Sequence, residues 1–439
     1  MRRILILGSI CVATAASAVV ASAAEAAAAT PLTFRQALQR AVEVNNTVER
    51  SRADIAVAEA NKELLLSNVL PRVTATGSAI RNSQAVTFGS GSDKTTVLAQ
   101  NDWNYRVVLS QPVFAGRREL RAYSQAKLGI ASAQQAELGT EDAVLLRVAS
   151  NYLALINAEA RINIEKRNIE LAERRRTQAK AFFEAGEVTK VDVLRAETAI
   201  KSSQRALAVA QQNRDEAESR LRADLDLNGA IVATTPEQPM PAVPPEQDLV
   251  AKAETVRPDV MLAANNLKIA ELEIQKQRGF WLPTVTFDGG FTAQKAAFPS
   301  AHNTYGALRF TVPLLQSGEV EARVAGAKAR ELQAKLDLET AKTNAREDVR
   351  QALATLNAAE TSLGLAKEQL TAAEAEYQQE FELYRAQEAT SLDLATSEQS
   401  LADARRAVAE ETLNRDVAAL RVWYASGAMR EALNLGANQ

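Results

Sequence analysis

Two parts of the chain repeat one another at a constant spacing. Pro112 and Pro313 are offset by 201 positions, and so are Thr189 and Thr390, so the interval from proline to threonine is identical in both copies. A spacing kept without gaps over so long an interval indicates a rigid element instead of a loop. The matching stretches read LPRVT and LPTVT, QPVF and VPLL, and TKVDV and TSLDL. The sequence therefore predicts an internal duplication of about 200 residues, in which two short extended segments precede a very long helical hairpin.

The N-terminal stretch 1–29 has the pattern of a secretory signal peptide. Arg2 and Arg3 precede an apolar run over 4–20, and small residues suited to cleavage lie at 23 and at 29. We therefore expect export, with cleavage at one of these two points. Cys11 is the only cysteine and follows Ile10, where a lipoprotein site would need a small residue, so lipidation is not expected.

Composition excludes several classes of protein. With 24% charged residues, 5% aromatic residues and a net charge of −3, the chain fits neither a disordered protein nor a nucleic-acid binder. After the signal there is no run of apolar residues long enough for a transmembrane helix. If the protein crosses a membrane, we expect it to do so as a closed β-barrel.

Each copy is predicted to contain a hairpin of two long helices, over 116–227 and 318–425. The first long helix of the first hairpin is predicted between Gly116 and Gly186, where there is no proline and strong helix formers dominate. At about 1.5 Å per residue such a helix reaches roughly 100 Å. Gly186 predicts the end of this helix, and Thr189 and Thr390, each followed three positions later by an aspartate, predict the caps of the two return helices.

Heptads support the long helices. Large residues recur in steps of three and four, at Leu145, Val148, Tyr152, Leu155, Ile162 and Ile169 and again at Leu353, Leu356, Leu363, Leu370, Tyr377 and Tyr384. One of the two seam positions is interrupted by charges, at Glu159, Lys166, Glu360 and Lys367. We interpret these charges as contacts between adjacent helices that set their register.

Shorter segments complete the predicted organisation. Thr33 and Gln36 form a capping box for a first short helix, and a second short helix is expected near Gln247. Five prolines mark 229–247 as an extended linker. The predicted domains are a first repeat over 30–228, a second repeat over 248–427 and a C-terminal tail over 428–439.

Four stretches alternate between apolar and polar residues, as membrane barrel strands do. They lie at about 72–81, 102–112, 284–293 and 304–313. The polar face would line a water-filled lumen and includes Arg106, Asp288 and Arg309. Four strands cannot close a barrel with a lumen, because such barrels start at about eight strands. The sequence therefore predicts that three or more chains pool their strands.

These features, together with the segment Arg257-Pro258-Asp259, resemble the TolC family of outer-membrane efflux channels over almost all of 31–427. The resemblance implies a mainly α fold with a small β part. It also implies a homotrimer with a twelve-stranded β-barrel in the outer membrane of a Gram-negative bacterium, continued by an α-helical tunnel in the periplasm. The implied partners are a periplasmic adaptor protein and an inner-membrane transporter of the RND or ABC type.

The function expected from this resemblance is an exit duct for small molecules in a tripartite efflux system. Type I protein secretion is the alternative, since it uses the same duct. A soluble periplasmic coiled-coil protein is a more distant one. The pump selects the cargo, so the sequence does not identify it.

The resemblance also assigns candidate site residues near the helical turns. A periplasmic gate would include Tyr384, Asp192, Asp393 and Thr396, the last at a position where the family has a second acid. The alternative for both aspartates is simple helix capping. The adaptor-docking tip would comprise Gly186, Glu187, Val188, Thr189, Gln387 and Thr390.

No residue pattern indicates catalysis, a cofactor or a metal site. His302 is the only histidine and falls in a predicted loop. The segment Gly89-Ser90-Gly91-Ser92 lacks the lysine of a phosphate-binding loop. We therefore expect a protein that is not an enzyme.

Overall fold

A computed structural model describes residues 30–91, 94–235, 241–295, 302–433 and 435. The predicted signal peptide lies outside these residues. So do Pro236 and Pro239 of the predicted linker, part of the loop between the last two strands, and most of the residues after 433.

The chain is organised as two copies of the same series of elements. The helices are α1 (Phe34–Val44), α2 (Asn46–Ser67), α3 (Arg118–Glu184), α4 (Lys190–Leu225), α5 (Glu246–Val256), α6 (Pro258–Arg278), α7 (Glu319–Arg385), α8 (Ser391–Ala425) and α9 (Met429–Ala432). The strands are β1 (Thr30–Leu32), β2 (Arg72–Arg81), β3 (Val86–Phe88), β4 (Thr95–Leu98), β5 (Asn101–Ala115), β6 (Ile231–Ala233), β7 (Thr284–Gln294) and β8 (His302–Thr311). The predicted fold class, two strands and a long helical hairpin in each copy, is confirmed.

The two long helices are equal in length. Both α3 and α7 contain 67 residues, which corresponds to about 100 Å. Each begins after two residues with positive φ, Gly116 and Arg117 in the first copy and Ser317 and Gly318 in the second. Gly116 has a further constraint, because a Cβ there would lie 2.2 Å from the carbonyl oxygen of Gly279. The start of α3 is therefore packed directly against the end of α6.

The two copies are joined in one antiparallel sheet with the order β2-β5-β7-β8. Strands β5 and β7 pair from Asn104 and Gln294 to Ala115 and Thr284, with an irregularity near Pro112. Every residue of β2 and of β8 is exposed. Among the described residues, the sheet thus ends in two strands that each have one edge without a pairing strand.

The large residues predicted for the seam are mostly buried, among them Val148, Leu155 and Leu356, whereas the charged positions predicted for it are displaced by one residue. The predicted interruptions at Lys166, Glu360 and Lys367 are exposed and Glu159 is only half-buried. Buried residues instead include Ala158 and Ala366, each one position earlier. Each heptad has two seam positions, and large residues that recur every seven positions identify only one of them. Alanine occupies most of the other. Alanine allows close helix packing but gives little signal in a heptad pattern.

The largest core lies at the middle of the hairpins, where α1, α3, α4 and the C-terminal residues meet. Tyr152 is fully buried there, and its hydroxyl lies 2.7 Å from the carbonyl oxygens of Leu32 and Thr234. Part of the predicted linker contributes, because β6 pairs with β1 in parallel. Prolines do not occur in 231–233, so nothing prevents these residues from forming a strand.

Residues of the predicted C-terminal tail are packed into the fold as far as residue 433. Met429 is fully buried and Leu433 nearly so, and both belong to the core around Tyr152. The apolar residues of α9 therefore pack against α3 instead of extending into solvent.

Among the helices of the described ranges, none combines the length and apolar character needed to span a membrane.

Candidate functional site

Both helical hairpins turn with the same backbone geometry. At the end of α3 the amide of Gly186 donates to Phe183 at 3.0 Å and the amide of Glu187 to Phe182 at 2.9 Å. At the end of α7 the amide of Gln387 donates to Tyr384 at 3.1 Å and that of Glu388 to Leu383 at 2.9 Å. This pair of bonds is the Schellman motif, which requires a left-handed residue just after the helix. Gly186 has φ 76° and Gln387 has φ 63°.

The return helices start with equivalent capping boxes. Thr189 pairs with Asp192, and Thr390 pairs with Asp393, in each case through backbone and side chain. The hydrogen bonds from Thr390 hold the pKa of Asp393 below its usual range. The capping function of both aspartates is thus present in the fold, and it does not exclude a function at a tunnel entrance.

Tyr384 lies at the centre of an apolar cluster behind the tips. Its ring packs edge-on against Phe182 with 5.6 Å between centroids, and the side chain is buried. Burial raises the pKa of its phenol, and the negative charge of Asp192 raises it further. Its hydroxyl has no hydrogen-bond partner among the described residues. The structure thus places Tyr384 and Asp192 in one neighbourhood without a direct bond.

The other predicted tip residues lie on the surface. Glu187 accepts a hydrogen bond from the side-chain amide of Gln387, which links the two turns. Asp393 and Thr396 are exposed on α8, and the Thr396 hydroxyl donates to the carbonyl of Leu392 at 3.0 Å. Val188, in the first turn, is half-buried. Within one chain, therefore, the predicted gate residues do not form a closed site.

Two ion pairs that no sequence pattern indicated join the hairpins behind the tips. Arg175 on α3 contacts Glu398 on α8 at 2.8 Å, and Arg406 on α8 contacts Glu165 on α3 through two bonds of 2.7 and 3.0 Å. Arg175 and Glu165 are each 4% exposed. Burial raises the pKa of Glu165, but the hydrogen bonds from Arg406 and Asn168 outweigh it and the pKa is lowered. A seam assigned one position earlier would have identified Glu165 as buried.

The predicted lumen residues share one face of the sheet. The register pairs Ser110 with Asp288, and Thr286 with Arg309. Asp288 accepts a hydrogen bond from Ser110 at 2.8 Å and lies 3.5 Å from Arg309. Arg106 is on the same face, opposite Thr292 and further along the sheet.

The opposite face of the sheet is apolar and exposed. It contains Phe287, Phe291, Leu308 and Phe310, with 38% to 64% of each side chain exposed. An exposed apolar surface of this extent indicates that the sheet face contacts a membrane or another protein.

Comparison with known proteins places this architecture in a family of channels. The family model described as outer membrane efflux protein matches residues 37–225 and 249–428. The chain therefore belongs to the outer membrane efflux protein family, and the predicted function, an outer-membrane exit duct of an efflux system, is confirmed at this level.

Individual relatives are distant in sequence but close in fold. The outer membrane efflux protein BepC of Brucella suis is 20% identical over 406 residues, covering 90% of this chain and 86% of its own. Among solved structures, CusC has a TM-score of 0.77 at 17% identity, covering 90% of this chain and 91% of that chain. The CmeC outer membrane channel of Campylobacter jejuni has a TM-score of 0.75 at 18% identity, covering 90% and 86%.

Proposed function

We propose that the protein is a homotrimeric channel whose strands form a twelve-stranded barrel in the outer membrane and whose hairpins form a periplasmic tunnel. It receives small molecules from an inner-membrane pump through a periplasmic adaptor and releases them outside the cell. The observation that supports this most directly is the sheet, which has one exposed apolar face and, within the described ranges, two edges without a pairing strand.

The strand directions allow the barrel to close. An unpaired edge strand presents a row of free N–H and C=O groups, which in a bilayer must be paired. Because the sheet has four antiparallel strands, β2 and β8 run in opposite directions. Strand β8 of one chain can therefore pair in antiparallel fashion with β2 of the next. Three chains give twelve strands, enough to enclose a lumen.

The polar and apolar faces then acquire distinct environments. Arg106, Asp288 and Arg309 line the aqueous lumen, while Phe287 and Phe291 face lipid. Strands of 10 to 15 residues are long enough to cross the hydrocarbon core.

The tips of the hairpins form the periplasmic mouth in this proposal. Three-fold symmetry turns Asp393 into a ring of three carboxylates, with Asp192, Tyr384 and Thr396 close to the same entrance. The exposed turns at Gly186, Glu187, Val188, Thr189, Gln387 and Thr390 provide the surface that meets the adaptor.

Membrane insertion is tested by fractionation of cells that express the mature protein. We expect it in the outer-membrane fraction and, after extraction in mild detergent, as a trimer. Recovery as a soluble monomer without detergent would exclude a channel.

Two arginine substitutions at neighbouring residues test which side chains of the strands face lipid and which face the lumen. Phe287→Arg puts a charge against lipid and should reduce folded trimer, at a cost of about 2 to 4 kcal/mol near the midplane. Thr286→Arg points into the lumen and should be tolerated. Equal losses would show that the facing is wrong.

Docking at the tip is tested with Gly186→Arg in a strain that depends on this channel for drug resistance. A Cβ at Gly186 meets no atom within 4 Å, so the side chain projects outward, where an adaptor would approach. We expect an intact trimer and loss of resistance. Normal resistance at normal expression would remove Gly186 from the docking surface.

A further inference from the structure

A groove of about 890 Å³ lies over α3 and is walled by α4 on one side and by α8 on the other. It belongs to the half of the hairpins next to the tips, and a single chain provides its whole lining. Its volume is comparable to that of sites that bind small organic molecules. The groove is therefore a candidate ligand site that does not depend on the proposed trimer.

The lining of the groove is basic. Its charged residues are two glutamates and five arginines, namely Glu165, Glu398, Arg161, Arg175, Arg195, Arg205 and Arg406. Each glutamate is paired with an arginine of the other hairpin, and Arg195 lies 3.6 Å from Asp192. Arg161 and Arg205 have no ion-pair partner among the described residues. Two positive charges of the groove thus remain for a ligand.

The two unpaired arginines come from different helices and line the same groove. Arg205 lies roughly four turns after the start of α4, and Asn168 lies roughly four turns before the end of α3. Because the hairpin is antiparallel, these two residues are at about the same height. Arg161 lies about two turns further from the tip on α3, and Arg175 about two turns nearer to it. An anion beside Arg205 is therefore placed between the two arginines of α3.

Arg175 adds a buried hydrogen-bond donor without a partner. Its side chain is 4% exposed and contacts Glu398 through one terminal nitrogen at 2.8 Å. Its Nε has no hydrogen-bond partner in the part of the chain that the structure describes. Buried polar atoms that no protein group pairs with usually meet a water or a bound molecule. The groove thus offers an unused donor in addition to its positive charge.

These groups favour one kind of ligand. Guanidinium groups bind carboxylates and phosphates through paired N–H···O bonds, which makes arginine well suited to anions with several oxygens. Next to Arg205 on α4, Ser202 adds a hydroxyl group, and Ala206 and Val209 add apolar surface. A solute with one oxyanion group and an apolar body matches this combination.

We propose that the groove binds organic anions, with a carboxylate or phosphate group held by Arg205 and Arg161 and an apolar part against Ala206 and Val209. The bound anion neutralises two arginines that the chain leaves unpaired. Because the groove exists only in the folded chain, binding also stabilises the fold.

Isothermal titration calorimetry of the purified protein in mild detergent tests this site with three related probes at constant ionic strength. Benzoate carries a carboxylate, phenyl phosphate carries a phosphate, and benzamide is a neutral molecule of nearly the same shape as benzoate. We expect saturable binding of an anionic probe at one site per chain, and the tighter of the two identifies the preferred group. Benzamide should bind at least about tenfold more weakly than benzoate, the ratio expected when a charged hydrogen bond is lost.

Two glutamine substitutions remove the unpaired charges. The double variant Arg161→Gln and Arg205→Gln should bind the preferred anion at least about tenfold more weakly than the wild type. Lys201→Gln is the matched control, because Lys201 is an exposed cation of α4 that does not line the groove. This control should bind the anion as the wild type does.

A second variant blocks the site without removing an arginine. Ser202 is exposed and lies three residues before Arg205, so the carboxylate of Ser202→Glu competes with the ligand for this arginine. We expect a similar loss of binding. Gln204→Glu adds the same charge to α4 outside the groove and should leave binding unchanged.

Three results would overturn the anion site. The first is an absence of saturable binding by both anionic probes, and the second is equal binding of benzoate and benzamide. The third is wild-type affinity in the double variant or, if that variant does not fold, in Ser202→Glu. Membrane insertion and the trimer are tested separately, so none of these results affects them.

Discussion

The long helices α3 and α7 have equal lengths and equivalent turns, yet they bury different side chains. Near its tip α3 buries Glu165 and Arg175, whereas α7 buries Leu363, Tyr377 and Tyr384. The difference follows from their neighbours, since α3 packs between α4 and α8 and meets charged residues of the other hairpin, while α7 packs mainly on α8 in this region. The two copies share the lengths and turns, and the neighbours of each helix within the chain determine the chemistry of its seam.

The largest loss of stability is expected when one partner of a buried ion pair between the hairpins is removed. Arg175→Met leaves the Glu398 carboxylate buried without its cation, which typically costs about 3 to 5 kcal/mol. The exposed pair Arg220 and Glu216 provides the control, and Arg220→Met should cost at most about 1 kcal/mol. Thermal unfolding of the purified protein compares the two. Equal small losses would mean that the inter-hairpin pairs contribute no more than surface pairs.

The same variant should lose less stability in acid. Burial raises the pKa of Glu398, and the charge of Arg175 partly offsets this, so the pKa rises further in Arg175→Met. A carboxyl whose folded pKa lies above its unfolded value destabilises the protein at pH values above the unfolded pKa. Protonation relieves this as the pH falls through the folded pKa. The difference in unfolding temperature between variant and wild type should therefore shrink toward low pH, and a constant difference would contradict burial of an ionised Glu398.

The two turns offer a smaller and more direct comparison. Gln387 adopts the left-handed conformation that Gly186 adopts in the first copy. An L-residue there carries a strain of about 1 to 2 kcal/mol. We therefore expect Gly186→Ala to destabilise the protein and Gln387→Gly to stabilise it, the latter by about 1 kcal/mol at most, because glycine adds entropy to the unfolded chain and removes the exposed side-chain hydrogen bond to Glu187. Unfolding temperatures that move in the same direction for both variants would contradict equivalent turns.

The sequence predicts those parts of the fold whose signals come from residues close together along the chain. The hairpins followed from helix formers between caps, and the capping boxes at Thr189 and Thr390 from a threonine and an aspartate three positions apart. The strands followed from their alternation. Each of these signals depends on near neighbours in the sequence.

The features that sequence missed depend on distant contacts. Met429 and β6 are buried by α3 and β1, far away along the chain. The ion pair of Arg406 with Glu165 joins residues of different repeats, and nothing near Glu165 in sequence indicates its partner. The tip residues were named from the family resemblance, and the function proposed for them depends on further copies of the chain and on an adaptor.

The smallest loss of stability is expected from substituting the two capping aspartates. These variants also have the clearest functional readout, the conductance of the channel. Asp192 has the guanidinium of Arg195 at 3.6 Å, which offsets its charge, whereas Asp393 is exposed and kept ionised by the hydrogen bonds from Thr390. In a trimer, three Asp393 carboxylates would form a ring that binds cations and obstructs anions. Divalent or trivalent cations added on the periplasmic side should then block conductance in planar bilayers. Asp393→Ala should relieve the block and Asp192→Ala should relieve it less. Each variant also loses a capping interaction, so thermal unfolding serves as the control for a general loss of structure. If cation block persists unchanged in Asp393→Ala, this residue is a helix cap alone and other residues form the constriction.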